Sequence, residues 1–234
     1  MTITVGIAGI TGKFGGLVLA NLLKYPDVNI RGFCRNPSKL SERIGSSATH
    51  IQITQGSSDN VAALNTFVRG ADVVICTYLG DRDLMVTGQM LLVDACERHG
   101  VPRYIASDYS LDYTKLEPGQ LPAKDPMRTV KEYIETKQNV RGVHVFIGGF
   151  METILSSYFR LWNAGHKAFE YWGSGDEVWE STTYRNAAEY VAAVAVDRGA
   201  VGVKNCNTPL SVSFALHFFS NCLPYFCSCI FKRG

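Results

Sequence analysis

The feature that most constrains this chain is a glycine-rich turn between an apolar, β-branched run and a helical pattern. A second apolar run follows one helix later. Thr2 to Ile10 is rich in Ile, Val and Ala and breaks into Gly9-Ile10-Thr11-Gly12-Lys13-Phe14-Gly15. Leu17, Val18, Leu22 and Leu23 then recur at helical spacing, and Asn29 to Cys34 forms the second run, ending at Arg35. Glycines at a strand-to-helix turn let the backbone come close to a pyrophosphate. The helix N-terminus adds N–H groups and a partial positive charge of roughly half a unit. A bare GxxGxxG says little, but directly after one strand and one helix before another it predicts a dinucleotide site. Gly9, Thr11, Gly12, Lys13, Phe14 and Gly15 are the residues expected to hold it.

The end of the second run distinguishes the dinucleotides. An Asp or Glu there accepts the ribose 2′-OH of NAD, whereas a cation accommodates a 2′-phosphate. Here the residue is Arg35, with Lys39 one helical turn beyond and no carboxylate before Glu42. Arg offers a planar donor fork and Lys a point charge. NADP(H) is the expected cofactor.

The remaining sequence repeats the alternation. His50 to Gln55, Asp72 to Leu79, Arg103 to Ser107 and Val143 to Ile147 read as strands. Val61 to Val68, Leu84 to Arg98 and Met127 to about Lys137 read as helices, with a proline-rich loop from Tyr113 to Pro126. This order predicts an α/β fold: a doubly wound parallel Rossmann sheet with right-handed crossovers. Ligands of such sheets lie outside the carboxyl ends of the strands. The expected functional positions are therefore the glycine loop, Arg35, Tyr78 to Asp81, Ser107 to Ser110 and Gly148 to Glu152.

With 234 residues, the chain can hold one large and one small lobe. The sequence suggests an NADP-binding domain over 1–150, a small and incomplete substrate lobe over 151–204, and an apolar, cysteine-rich tail over 205–234. A net charge of +2, with scattered lysines and arginines, gives no reason to expect nucleic acid. No secretory leader is legible at the start, and Cys34, Cys76 and Cys96 lie in apolar runs without paired spacing. Together these read as a cytoplasmic protein with reduced core thiols. The five histidines have no metal-ligand spacing, so no metal is expected.

Several segments together resemble the NmrA-like branch of the atypical short-chain dehydrogenases, which includes the isoflavone and pinoresinol–lariciresinol reductases. They are the glycine loop, Arg35-Asn36-Pro37-Ser38-Lys39-Leu40, Gly88-Gln89 with Asp94-Ala95, Gly100-Val101-Pro102-Arg103-Tyr104-Ile105, and Ala106-Ser107-Asp108-Tyr109. The resemblance covers about residues 3 to 204. It implies NADP(H) on the glycine loop and Arg35, with Tyr78, Leu79, Gly80, Ser107 and Phe150 near the nicotinamide. It also implies reduction of a small aromatic or enone-like metabolite. Its NmrA members instead bind the dinucleotide as redox-sensing regulators, a reading in which a protein partner replaces a substrate.

The reductases place a catalytic Lys at the start of the helix after the fifth strand. Aligning that helix puts Met127 at this position, with Lys124 and Lys131 within a turn on either side as candidate proton donors. Tyr133-Ile134-Glu135-Thr136-Lys137 matches the Tyr-x-x-x-Lys of ordinary short-chain dehydrogenases. However, a start near Met127 puts Tyr133 roughly 9 Å and Lys137 roughly 15 Å along the axis, away from the cofactor end. Tyr109 and Tyr113 are candidate cleft aromatics.

In the second lobe, Met151 to Ala164 reads as an amphipathic helix, Tyr171 to Gly175 as a turn and Tyr184 to Asp197 as a helix. Trp162, Trp172 and Trp179 could supply an apolar pocket. From Pro209 to Phe231 no residue is charged, and four of the seven cysteines are Cys206, Cys222, Cys227 and Cys229. The resemblance stops near Lys204, so this tail reads as an altered C-terminus. A membrane anchor is the less favoured alternative, because Pro224, Asn221, His217 and several serines lower its hydrophobicity.

Overall fold

The computed structural model describes residues 2–40, 51–154, 156, 158–159, 162–163, 165–171, 178–206, 208–211 and 232–233. A seven-stranded sheet forms its centre. In chain order its strands are β1 (Ile3–Ala8), β2 (Val28–Cys34), β3 (Ile51–Gln55), β4 (Val73–Cys76), β5 (Arg103–Ile105), β6 (Arg141–Phe146) and a last strand, Gly202–Asn205. They lie in the order last strand–β6–β5–β4–β1–β2–β3. The β1–β2, β2–β3, β1–β4, β4–β5 and β5–β6 pairs are all parallel. The first six strands thus have the 3-2-1-4-5-6 order of a doubly wound dinucleotide-binding sheet, and the direction of strand order reverses between β1 and β4.

Burial explains the near-continuous apolar runs. β1 and β4 are covered on both faces, and Val5, Ile7, Val73, Val74 and Ile75 have no exposed surface. Helix α1 (Lys13–Leu22) buries Val18, Leu19 and Leu22 on one stripe, and α2 (Val61–Val68) buries Leu64, Phe67 and Val68. The Phe67 ring meets Phe33 of β2 with centroids 5.3 Å apart. Each such side chain contributes about 1.5–3 kcal/mol of burial.

The stretch expected to be one helix from Leu84 to Arg98 begins instead as a π-helical turn, Leu84–Gly88, and continues as α3 (Gln89–Arg98). Helix α4 spans Asp125–Glu135, starting two residues before the expected Met127 and preceded by a 3₁₀ turn at Pro122–Lys124. Pro126 near its start is tolerated because the first helical N–H groups have no intrahelical partner to lose.

The chain divides into two compact units that interleave in sequence rather than following contiguous blocks. One comprises residues 1–108, 112–145 and 188–204; the other comprises 109–111, 146–187 and 205–234. In the second unit the expected helix over 151–164 is corrected. Helix α5 is a single turn, Met151–Ile154, and Trp162–Asn163 is a strand. Both the Ser156 N–H and its hydroxyl donate to the Thr153 carbonyl, at 3.1 and 2.6 Å. The Ser156 hydroxyl also accepts from the Tyr158 N–H at 3.2 Å, so local side-chain bonds replace the helical ladder.

Two three-stranded sheets follow. One joins Gly149–Phe150, Val178–Thr182 and Thr208–Ser211; the other joins Trp162–Asn163, Ala168–Tyr171 and Lys232–Arg233. Helix α6 spans Tyr184–Val196 and ends one residue short of Asp197. The expected turn at 171–175 falls largely outside the described residues, as do Cys222, Cys227, Cys229 and most of the apolar tail. Among the described residues, no helix is long and apolar enough to cross a membrane.

Candidate functional site

The glycine loop sits at the strand-order reversal, between the carboxyl ends of β1 and β4. The Gly9 and Ile10 N–H groups both donate to the Phe33 carbonyl, at 2.9 and 3.4 Å. Gly9 has φ +83°, where a side chain is strained, and a Cβ there would lie 2.8 Å from the Thr77 hydroxyl. The Gly12 N–H donates to the Gly9 carbonyl at 2.8 Å, closing the turn onto α1. Thr77 is the brace beneath it, since its N–H and hydroxyl donate to the Ala8 carbonyl at 2.9 and 2.8 Å.

No acidic residue stands in the first turn of α1, and its N-cap is Gly12, so neither charge nor bulk opposes a pyrophosphate. Phe14 and Gly15 are buried beneath the turn, Thr11 is half-buried, and Gly12 and Lys13 face solvent. The cradle fits the diphosphate of a dinucleotide. Sequence reasoning missed Thr77, although a Thr directly after the β4 run was its available signal.

Arg35 and Lys39 are both exposed at the exit from β2. Gln55, at the end of β3, donates to the Arg35 carbonyl at 3.1 Å and fixes its backbone. Asn36 then starts the next turn by accepting from the Ser38 N–H at 3.1 Å and the Ser38 hydroxyl at 2.5 Å. Among the described residues, no carboxylate pairs with the Arg35 guanidinium, which stands in solvent beside the loop.

The structure brings Tyr78 and Ser107 together. The Ser107 hydroxyl donates to the Tyr78 carbonyl at 2.7 Å, and its N–H donates to Gln89 Oε1 at 3.0 Å. Gln89 also accepts from the Tyr104 hydroxyl at 3.1 Å and donates to the Met85 carbonyl at 2.8 Å. This buried amide therefore ties the end of β5 to the π turn, a role the sequence did not reveal beyond a polar residue on an apolar face. Burial pushes the Tyr78 phenol well up, and its hydroxyl has no partner among the described residues. Next to it, Leu79 is 88% exposed, an apolar side chain held out beside Gly80 at the ligand end of the sheet. Phe150 belongs to the other unit, where it stacks on Tyr184 at 3.9 Å between centroids and 11° between planes.

The lysines separate clearly. Lys131 forms an ion pair with Glu135 one turn along its own helix. Lys124 lies in the 3₁₀ turn before α4, where burial pushes its ammonium pKa down and the charge of Asp108 partly opposes this. Lys124 lines a shallow depression with Tyr113, Leu121 and Arg128, too tight to enclose a water-sized group. Met127 packs against the apolar core under the sheet.

Tyr133 and Lys137 are engaged elsewhere. The Tyr133 hydroxyl and the Lys137 ammonium each donate to Asp94 of α3 at 2.7 Å, with the ammonium 3.8 Å from the tyrosine ring. Tyr113, expected in a cleft, is buried at 1% exposure, whereas Tyr109 is half-buried.

A family model described as NAD(P)H-binding matches residues 9–143, more than half of the chain, from the start of the glycine loop into β6. The chain belongs to the NAD(P)H-binding family. Among curated proteins, a 73-residue stretch is 38% identical to the oxidoreductase dmxR7 of Cryptosporiopsis sp. (strain 8999). That stretch covers 30% of this chain and 31% of the relative, so less than a third of the relative's length is spanned.

Among solved structures, this NAD(P)H-binding chain is similar to AtPrR2 with NADP+ and (+)pinoresinol. The TM-score is 0.82 at 15% identity, covering 100% of this chain and 80% of that one. It is likewise similar to isoflavone reductase, with a TM-score of 0.79 at 15% identity, covering 100% and 78%. These neighbours establish the fold, and they carry the names of the reductases that the sequence resembles.

Proposed function

We propose that the protein is an NADP(H)-dependent reductase of a small aromatic or enone-like metabolite. The observation that carries this reading is the glycine cradle at the strand-order reversal, with Arg35, and no carboxylate, at the end of β2. When bound, the dinucleotide would supply a hydride from C4 of its nicotinamide. Gly9, Thr11, Gly12, Lys13, Phe14 and Gly15 would hold its diphosphate, and Arg35 with Lys39 would face the 2′-phosphate. Tyr78, Leu79, Gly80 and Ser107 form the sheet end over which the nicotinamide would lie.

Of the two candidate proton donors, Lys124 is favoured over Lys131. Its partial burial brings its proton affinity toward that of a useful acid, whereas Lys131 is occupied by Glu135. Lys124 would protonate the atom that has gained electron density from the hydride. Met127, partly buried against the core cluster where the resemblance places the lysine, favours a second reading: a dinucleotide-binding sensor without turnover.

The deciding experiment titrates the purified chain with NADPH and with NADH, following nicotinamide fluorescence, and then screens small aromatic ketones and enones for oxidation of NADPH. Selective NADPH binding with turnover that is lost in Lys124→Ala supports the reductase. Selective binding with no turnover on any substrate favours the sensor. Equal affinity for NADH would sink the assignment of Arg35.

A further inference from the structure

The loop after β4 lies at the ligand end of the sheet, and its shape is set from a buried residue that the proposed chemistry has not used. Tyr78 belongs to the core cluster, whereas Leu79 directly after it is 88% exposed. The peptide between them turns the chain from core to surface, and its carbonyl accepts from the Ser107 hydroxyl at 2.7 Å. Ser107 is held in turn by Gln89, whose Oε1 accepts from the Ser107 N–H at 3.0 Å.

Gln89 is 1% exposed, and its partners fix which way its amide points. A backbone N–H can only donate and a carbonyl can only accept. Oε1 therefore faces Ser107, and Nε2 faces the Met85 carbonyl 2.8 Å away. The Tyr104 hydroxyl donates to the same Oε1 at 3.1 Å. Gln89 also closes the π turn Leu84–Gly88. Its own N–H donates to the Val86 carbonyl, and its side chain takes the Met85 carbonyl that this N–H would reach in a regular α-helix. Such π turns gather at functional sites.

The same turn fixes the far end of the loop. The Asp81 carboxylate accepts from the Leu84 N–H at 2.9 Å, and the Asp81 carbonyl accepts from the Met85 N–H at 3.0 Å. A Cβ on Gly80 would lie 2.8 Å from Leu84 Cδ2, so the loop rests closely on the turn. Residues 79–81 are thus held between Ser107 and the π turn, and Gln89 bonds to both. The glycine loop and Arg35 are shaped by separate bonds: Thr77 to Ala8, Gly9 to Phe33 and Gln55 to Arg35.

We propose that Gln89 is a positioning residue for the nicotinamide half of the dinucleotide. It acts through Ser107 and the Tyr78 carbonyl to hold Leu79 and Gly80 against that half. This deepens the cofactor reading above and rests on it. Without the Gln89 oxygen, the buried Ser107 N–H has no acceptor, and the strand end must shift to find one. The diphosphate and 2′-phosphate are held without Gln89, so its loss separates the two halves of one ligand.

The test needs no substrate. Full-length wild type, Gln89→Met, Gln89→Asn and Gln89→Glu are titrated calorimetrically with NADPH and with adenosine 2′,5′-bisphosphate, which has the 2′-phosphate but no nicotinamide. Gln89→Met keeps the length and removes every bond of the amide. It should bind NADPH about tenfold more weakly and the bisphosphate within about twofold of wild type. Gln89→Glu keeps an oxygen for the Ser107 N–H and, as a buried neutral acid, a proton for the Met85 carbonyl. It should hold NADPH within about threefold of wild type. Gln89→Asn is one methylene shorter, withdraws the oxygen and should follow Gln89→Met, so it carries the same test if Gln89→Met fails to fold. Unchanged NADPH affinity in these two variants, or equal weakening of both ligands, would overturn the proposal. A wild type that binds neither ligand overturns the cofactor reading itself, so the two failures are told apart.

Discussion

A Cβ placed on Gly15 would lie 2.4 Å from the carbonyl oxygen of Gly9 and 2.8 Å from the Thr77 hydroxyl. Helix α1 therefore approaches the end of β1 more closely than any side chain allows. Gly15→Ala must push the turn away from Thr77 and distort the cradle. The expected result is a loss of about 1–3 kcal/mol in stability and at least a tenfold weaker NADPH affinity. Thermal melts and nicotinamide fluorescence titrations check the two effects. Normal NADPH affinity in Gly15→Ala would remove the loop from the cofactor site.

Arg35 is exposed, so its effect on a 2′-phosphate is that of a charge-assisted contact open to screening by salt. Removing it in Arg35→Gln should weaken NADPH binding about 10- to 100-fold and leave NADH binding nearly unchanged. The difference between wild type and variant should shrink between 50 mM and 500 mM salt. Titrations at both salt concentrations measure it. A variant that loses NADH and NADPH affinity equally would show that Arg35 supports the loop rather than the phosphate.

The first six strands were legible because a strand buried on both faces leaves few choices. Ile3–Ala8 and Val73–Cys76 read as apolar runs, and Gly9, directly after the first, takes a positive φ. The second unit was not legible in the same way. Its strands are short and its single-turn helix α5 ends on serine side-chain bonds that periodicity does not register. In the candidate site the glycine loop and Arg35 announced themselves by residue type. Thr77 and His144 did not, because each acts through a partner far away in sequence; Gln89 and Asp108 were marked by their segments, Gly88-Gln89 and Ser107 to Ser110, but not by their partners. Asp108 and His144 are 36 residues apart, and Thr77 and Ala8 are 69 apart.

Arg103, buried at the start of β5, donates to the carbonyls of Val194, Ala195 and Asp197 at 3.3, 2.8 and 2.6 Å. These close the C-terminus of α6, where a cation also complements the helix dipole. Burial draws the guanidinium pKa down, with the charge of Asp197 opposing this, yet it remains far above neutral and stays charged. Arg103→Met leaves three carbonyls without their donor and should cost about 3–5 kcal/mol in urea unfolding. A cost below about 1 kcal/mol would mean that water replaces the guanidinium at the helix end.

Glu97 gathers the N–H groups of Gln138, Asn139 and Val140 and the Asn139 side-chain amide, at 2.9–3.2 Å. Burial is the largest single influence and raises its carboxyl pKa, but these donors together outweigh it and hold the group below the ordinary 4.5. The folded state therefore binds this proton less tightly than the unfolded chain. The stabilisation is fully present above about pH 4.5 and is lost as pH falls through the depressed folded value. Thermal melts from pH 7 to pH 3 should show Glu97→Gln less stable than wild type at neutral pH, with the gap closing toward pH 3. A gap that stays constant would show that the loss comes from packing and not from the charge.

Tyr133 and Lys137 meet on Asp94, and that arrangement predicts what the Tyr-x-x-x-Lys pattern does here. The Tyr133 hydroxyl is already donated to a carboxylate of α3, and the Lys137 ammonium is shared between that carboxylate and the tyrosine ring. A catalytic tyrosine would need its proton directed at the substrate. Tyr133→Phe should therefore leave NADPH affinity and any NADPH-dependent turnover within about twofold of wild type. It should lower stability by about 0.5–1.5 kcal/mol, the net worth of one partly exposed hydrogen bond. Lys137→Met should act in the same direction, and the double variant should lose less than the sum because both act through Asp94. A fall in turnover of a hundredfold or more in Tyr133→Phe, with stability unchanged, would instead place the proton donor on α4 at Tyr133 and displace Lys124 from that role.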